Sequence, residues 1–153
     1  MKNALLTALF LMLVSLGFSQ NLEYKDGLYY KKGMLYTGTH IEYYDNGRIL
    51  VELSIKNGLE DGTVNHYYEN GNKKEQWQYT EGKKNGIWIT WSEEGVKIAE
   101  ASYKDNLKDG AWYIWDNKGT MLYEMHYTMG KKTGTWKQWD ESGKLIMERE
   151  YND

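Results

Sequence analysis

The sequence predicts an all-β protein, built as a single elongated antiparallel sheet of stacked 24-residue β-hairpin repeats. Three observations predict this fold. Glycines recur at a constant step of 24 residues. Each repeat contains two stretches rich in Trp, Tyr, Ile, Val and Thr, which favour strands, and polar triplets that end in glycine separate them, as in hairpin turns. A helical array is disfavoured, because each glycine in a helix interior costs roughly 0.5–1 kcal/mol.

The first stretch of the chain, MKNALLTALFLMLVSLGFSQ, has the pattern of a secretory signal peptide. Lys2 supplies the positive charge, residues 4–14 are apolar, and Gly17 precedes a predicted cleavage after Ser19. Residues 1–19 are therefore expected to be removed, and the protein is expected to be exported, to the periplasm or outside the cell. The apolar run is short for a membrane span, so we expect no transmembrane segment after signal removal. An uncleaved N-terminal anchor is the alternative.

Composition narrows the classes of partner. The chain has no cysteine, so it has neither a disulfide framework nor a lipid-bearing cysteine after the signal. The formal net charge is −3, and this mild acidity argues against nucleic acid or anionic lipid as the main partner. Both phenylalanines lie in the signal stretch, so every aromatic residue of the mature chain is Tyr or Trp, which suit half-wet surfaces and recognition.

The glycines of the repeat fall into three columns, each with the 24-residue step. In the third column one position is occupied by Asn106, the residue that best tolerates a left-handed backbone after glycine, so this column is predicted to have positive φ in a turn. The structural turn glycines are Gly38, Gly62, Gly86, Gly110 and Gly134 in the first column, Gly47, Gly71, Gly95, Gly119 and Gly143 in the second, and Gly58, Gly82 and Gly130 in the third.

The step divides the mature chain into a divergent start and a regular array. The start, residues 20–37, breaks the step because its glycine is Gly33 where the repeat would place it at Met34. We expect it to be a capping hairpin over the first edge of the sheet. The charged end, EREYND, is expected to blunt the other edge. The array itself spans 38–153 in five units: 38–61, 62–85, 86–109, 110–133 and 134–153.

The pattern G-x-W-x-x-W/Y-x-x-x-G, with Glu, Tyr and Gly downstream, resembles the MORN-repeat variant of bacterial proteins, a family that includes YwqK-type antitoxins. The resemblance extends from Gly38 to Tyr151. It implies hairpin units that act as interaction scaffolds, and it brings no catalytic motif with it. An exported chain could not guard a cytoplasmic target, so the antitoxin role of relatives transfers poorly.

Two tryptophan columns are the candidate binding ladders. They stand three residues apart, so in regular strands they point to opposite faces of the sheet. One column is expected to cover the apolar face, and the other to be exposed and to bind a partner. The candidate ladder is Trp88, Trp112 and Trp136, or else Trp91, Trp115 and Trp139.

A column of acidic residues raises the alternative of an enzyme. Its side chains would lie about 10 Å apart in equivalent surroundings, so nothing would separate their pKa values into an acid and a base. The three histidines occupy different places in the unit, unlike a metal site built from stacked repeats. We therefore predict no catalytic residue, no metal site and no cofactor. The column consists of Glu52, Gln76, Glu100, Glu124 and Glu148.

The leading hypothesis is a non-enzymatic, exported, MORN-like repeat scaffold that mediates protein–protein or cell-envelope interaction. A carbohydrate-binding module with a Trp ladder, whose partner would be polysaccharide, is one alternative, and it requires three exposed, coplanar tryptophans in one column. An antitoxin or immunity protein of the YwqK type is another. Turn lysines such as Lys84 and Lys132 form a positive rim that is expected to be solvated.

Overall fold

A computed structural model describes residues 22–152, so the predicted signal peptide lies outside the described residues. The described chain consists of strands and turns without a helix, and therefore has no helix that could span a membrane. The strands are β1 (Glu23–Lys25), β2 (Leu28–Lys31), β3 (Met34–Leu35), β4 (Gly38–Tyr43), β5 (Ile49–Lys56), β6 (Leu59–Tyr67), β7 (Lys73–Thr80), β8 (Lys83–Lys84), β9 (Gly86–Trp91), β10 (Lys97–Lys104), β11 (Leu107–Trp115), β12 (Met121–Thr128), β13 (Lys131–Trp139) and β14 (Leu145–Tyr151).

The predicted stack of antiparallel hairpins is confirmed. The main sheet has 11 strands, which follow one another from β4 at one edge to β14 at the other. β8 pairs with β7, and only Asn85 separates it from β9, so the two are one interrupted strand. The strands form two sheets where the sequence predicted one, because β1, β2 and β3 make a separate three-stranded sheet.

The third glycine column forms the turns that join successive hairpins. Asn57 and Gly58 have φ angles of 51° and 78°, and Asp105 and Asn106 have 48° and 69°. Two successive positive φ angles define a type I′ turn, whose twist matches that of the flanking strands. The predicted positive φ of this column is confirmed. Asn106 has a further role, since its Oδ1 accepts a hydrogen bond from Lys84 N at 2.8 Å.

Backbone hydrogen bonds link each of these turns to the preceding unit. Gly82 N donates to Glu60 O, and Gly130 N donates to Lys108 O, both at 2.8 Å. The donor and acceptor positions each advance by the repeat step along the chain. The turns along this side of the sheet therefore form a hydrogen-bonded row that holds successive hairpins in register.

The second glycine column closes the turn within each hairpin. Tyr44 N donates to Arg48 O at 2.8 Å, and Gly47 adopts a φ of 81°, the geometry of a type I turn followed by a left-handed residue. Asp116, equivalent to Tyr44 by the 24-residue step, makes the same backbone bond, to Thr120 O at 2.9 Å, and its carboxylate also accepts from Thr120 N at 2.8 Å. The hydrogen bond from Thr120 N to the carboxylate is the main reason that the pKa of Asp116 is lowered.

The N-terminal segment forms three strands where the sequence predicted one hairpin. Tyr29 N donates to Gly58 O, and Gly58 N donates to Tyr36 O, both at 2.8 Å. Tyr29 and Tyr36 also pack on the core cluster of the main sheet, which consists of Val51, Leu53, Ile55 and Val64. Within residues 22–152, β4 pairs with β5 alone. The N-terminal sheet thus covers a face of the first hairpins and leaves the outer edge of β4 unpaired in the described chain.

The two sides of the main sheet carry different residues. We call the side with Trp88, Trp112 and Trp136 the ladder face, and the side with the acidic column the glutamate face. Cross-strand pairs place Trp112 opposite Ala101, and the next residue along, Tyr113, opposite Glu100. Because neighbouring residues of a strand point to opposite sides, Trp112 and Glu100 lie on different faces.

Bulges keep this alternation constant from unit to unit. The pairing of β10 with β11 shifts register between Ala101 and Tyr103, where Gly110 has a φ of +100°. A Cβ at Gly110 would lie 3.1 Å from the Cβ of Ser102, closer than side chains normally pack. A glycine is needed here both for the backbone angle and for the close approach.

Candidate functional site

The ladder face carries a continuous row of aromatic rings. Centroid distances between consecutive rings of this row are 4.9, 5.2, 5.4, 5.2 and 4.8 Å. The rings are tilted by 46–58° to one another, which is typical of packed aromatic side chains. The row alternates tryptophan and tyrosine: Trp88, Tyr103, Trp112, Tyr127, Trp136 and Tyr151.

The repeat step explains how this row forms. Each tyrosine stands opposite a glycine of the first column, as in the pairs Gly110–Tyr127 and Gly134–Tyr151. A glycine has no side chain opposite the tyrosine, so the ring has room to lie against the tryptophans on either side. The first glycine column therefore serves the packing of the ladder as well as the backbone.

Three lysines cover the tryptophans of the ladder face. The Nζ atoms of Lys84, Lys108 and Lys132 lie 4.1, 4.0 and 4.5 Å from the ring centroids of the three tryptophans, within the range of a cation–π contact. Sequence reasoning missed this arrangement and treated turn lysines as solvated. The signal was present, because these lysines follow the same 24-residue step as the rings that they cover.

The indole N–H groups show where the repeat is irregular. Trp112 Nε1 donates to Ser102 O and Trp136 Nε1 donates to His126 O, both at 3.0 Å. Trp88 Nε1 is buried and has no hydrogen-bond partner within residues 22–152. The carbonyl in the equivalent position, on Gln78, accepts from Asn85 N instead. The interruption between β8 and β9 thus coincides with the loss of one indole hydrogen bond.

Neither tryptophan column presents three exposed, coplanar rings. Trp136 is buried, and the other five tryptophans of the two columns are half-buried. On the ladder face a tilted tyrosine follows each tryptophan of the column, and the parallel stack there joins Trp88 to Trp77, which lies outside the column. The condition that a sugar-binding ladder requires is therefore not met on either face.

The glutamate face carries its tryptophans differently. Lys97 Nζ lies 4.6 Å from the centroid of Trp115, and Lys73 Nζ lies 5.7 Å from that of Trp91. In the described chain no ring contact joins one tryptophan of this column to the next, and the ring of Trp115 lies 5.6 Å from that of Tyr113. This face therefore combines half-buried aromatic rings with polar groups.

Three glutamates of the acidic column have side-chain partners, and each partner is of a different kind. The Tyr67 hydroxyl donates to Glu52 at 3.0 Å, Lys97 donates to Glu100 at 2.8 Å, and His126 is 3.4 Å from Glu124. Burial, followed by the hydrogen bond to Glu52, raises the pKa of Tyr67. No cluster of three or more His, Asp or Glu in residues 22–152 could hold a metal ion. The arrangement can bind charged groups by ion pairs and hydrogen bonds.

His66 is a titratable residue packed into the ladder face. Its ring lies 4.3 Å from that of Trp77, its Nε2 is buried with no partner in the described part of the chain, and burial lowers its pKa. Glu75, which stands directly opposite His66, raises this pKa, but its effect is smaller than that of burial. The folded protein therefore disfavours the protonated ring relative to the unfolded chain.

We expect the free energy of unfolding to fall as pH is lowered from 7 to 5. His66 contributes its full stability above the unfolded pKa of 6.5, and the contribution is lost as pH falls towards the lower folded pKa. Denaturant unfolding at several pH values measures the slope. His66→Gln, which cannot be protonated, should flatten it, and an unchanged slope in this variant would contradict the assignment.

Comparison with known families agrees with the geometry. The MORN repeat variant matches the chain at residues 36–57, 60–81, 84–105 and 132–153, together more than half of its length. Residues 108–129, between the last two matches, form the same kind of hairpin, from β11 and β12. No curated protein matches the chain. The four matches, the repeat step and the stacked hairpins lead to one conclusion: the chain belongs to the MORN repeat variant family, and its sheet is a repeat scaffold.

Proposed function

We propose that this protein is a non-enzymatic scaffold that acts in the cell envelope or outside the cell and binds a partner protein on its glutamate face. The observation that carries the proposal is the single layer of the main sheet. Sheets of globular domains are normally covered by a second layer. Here the N-terminal sheet covers only the first hairpins, on the ladder face, and no other described element covers either face.

The composition of the glutamate face favours it as the binding side. Protein interfaces are enriched in tryptophan and tyrosine, and such residues carry much of the binding energy when a partner desolvates them. On the ladder face the rings are already packed against one another and covered by lysines. On the glutamate face Trp91, Trp115 and Trp139 are half-buried and are not packed into a row of rings, so a partner can bury them further.

The N-terminal sequence supports export. Its positive start, apolar run and small residues before position 20 match a cleaved secretory signal. Mass spectrometry of the protein from fractionated cells tests this part. A mature chain that begins at Gln20 in the envelope fraction or the medium is expected, and a full-length chain in the cytoplasm would contradict it.

Crosslinking followed by capture from a cell-envelope extract tests the binding function. The bait is residues 20–153, and its partner should be lost when Trp91 and Trp139 are both changed to Ala. A matched control alters the opposite face, with Lys84, Lys108 and Lys132 changed to Gln, and should keep the partner. Circular dichroism must show that each bait is folded.

The same experiment separates the alternatives. Equal capture by both variants would contradict the choice of face, and capture of polysaccharide alone would favour the sugar-binding alternative. If neither protein nor polysaccharide is crosslinked to any folded bait, the scaffold proposal is wrong for this compartment.

A further inference from the structure

We infer that the glutamate face has a specific site, centred on Tyr113, for an arginine side chain from a basic segment of the partner. The inference rests on the proposed scaffold function and names the chemistry of the partner. The site is an open depression of about 380 Å³ that spans β10, β11 and β12. Its lining consists of Lys97, Glu100, Tyr113, Trp115, Met121 and Glu124.

The register of three strands builds the centre of the site. Glu100 stands directly opposite Tyr113, and Tyr113 stands directly opposite Glu124. With strands about 4.8 Å apart, the two carboxylates lie about 10 Å from each other across the ring. Trp115 extends the aromatic floor, since its centroid is 5.6 Å from that of Tyr113. The two rings are tilted by 35° to each other, and the face of Tyr113, between two carboxylates, is a site for a planar cation.

The residue that stands between two glutamates differs from one place on the glutamate face to the next. Between Glu124 and Glu148 the chain places Lys137, a cation of its own. Between Glu100 and Glu124 it places the uncharged ring of Tyr113, and within residues 22–152 no lysine or arginine makes a cation–π contact with that ring. The Tyr113 position thus lies between two glutamates, as Lys137 does, but carries an uncharged ring. Its glutamates have cations on other strands, since Lys97 pairs with Glu100 and Lys137 stands opposite Glu124.

The environment favours an incoming cation. The side chains of Glu100 and Glu124 are only 25% and 27% exposed, so water screens their charges less than at a fully open surface. Lys97 neutralises Glu100 in part, at 2.8 Å, and already lies over Trp115. That contact shows that the aromatic floor accepts a cation. The negative net charge of the whole chain adds to the attraction.

Arginine fits this site better than lysine. Its guanidinium group is planar and can stack on Tyr113 while its N–H groups donate to a carboxylate in a two-point contact. Lysine offers a point charge without a face for stacking. An arginine-bearing segment is therefore expected to bind more tightly than the same segment with lysine.

Fluorescence anisotropy of a labelled peptide with alternating arginine and glycine tests the site, with residues 20–153 as the receptor. Lysine and glutamate versions of the peptide serve as comparisons. We expect the order arginine, lysine, glutamate in decreasing affinity, and E100Q/E124Q should weaken the arginine peptide by about tenfold or more. Tyr113→Leu, which keeps the bulk and removes the aromatic face, should weaken it several-fold.

A matched pair of substitutions separates a site from general attraction. E52Q/E148Q removes two charges from the same column outside the site and should leave the affinity within about twofold. If this control weakens binding as much as E100Q/E124Q, or if the peptide does not bind at all, the inference is wrong. Capture of a partner that survives E100Q/E124Q would also overturn this site, yet leave the scaffold function standing.

Discussion

Trp136→Ala is expected to lower the free energy of unfolding by about 3–5 kcal/mol. Trp136 is buried, with only 9% of its surface exposed, and lies 5.2 and 4.8 Å from the rings of Tyr127 and Tyr151. The substitution removes these contacts, the indole hydrogen bond to His126 O and the cation–π contact with Lys132. Urea denaturation followed by circular dichroism measures the change.

Trp139→Ala is the matched control for this prediction. Trp139 lies in the same strand, is half-buried, and has no aromatic neighbour within residues 22–152. We expect Trp139→Ala to lower the free energy of unfolding by about 1–2 kcal/mol, because Trp139 buries less apolar surface than Trp136 and belongs to no packed row of rings. Equal losses in the two variants would contradict the division into a packed face and a binding face.

The three tryptophans of the ladder column contribute too much stability to be removed together. A domain of this size is stable by about 5–15 kcal/mol, and three substitutions such as Trp136→Ala would consume most of that. Changing Trp88, Trp112 and Trp136 together is therefore expected to unfold the protein. Loss of a partner in that variant would not locate a binding face.

A second large effect is expected at the two ends of the main sheet. A central row on the ladder face takes one residue from each strand, and its eight interior members are apolar. Its two end members are His40 on β4 and Arg149 on β14, opposite Leu53 and Trp136. The interior members are Leu53, Val64, Trp77, Trp88, Ala101, Trp112, Met125 and Trp136.

Polar side chains at these two positions oppose growth of the sheet. β4 is the first strand of the first hairpin, and β14 is the second strand of the last hairpin. The β14 strand of one copy could therefore pair with the β4 strand of another, in the same register that joins successive hairpins within the sheet. That register would place Arg149 against His40 of the next copy, where internal junctions have apolar pairs such as Leu53–Val64. A charge that points into the junction is a common protection of edge strands.

The variant H40V/R149M is therefore expected to associate end to end. Sedimentation velocity should show an open-ended series of species, because a head-to-tail contact does not close, and the average mass should rise at least about twofold over the wild type. H40V alone and R149M alone keep one polar end and should associate far less. A double variant whose average mass equals that of the wild type at all concentrations would show that other features protect the edges.

Much of this fold could be predicted from spacing alone. The step places Gly58, Gly82, Asn106 and Gly130 in one column, and positive φ there is confirmed at all four positions. The prediction worked because a two-residue turn with positive φ restricts which residues can occupy it. The three-stranded N-terminal sheet was not predicted. Its two turns, at Asp26–Gly27 and Lys32–Gly33, are only six residues apart and fall outside the step.

The sequence by itself determined the hairpin, its 24-residue step and the opposite directions of the two tryptophan columns, because turn chemistry and the two-residue period of a strand are local properties. Only the tertiary structure decided which column is packed and which face has an aromatic ring between two carboxylates. Those features depend on cross-strand register, which brings Tyr127 against Trp112 and sets Tyr113 between Glu100 and Glu124. Register joins residues of different strands, and a pattern along one chain does not contain it.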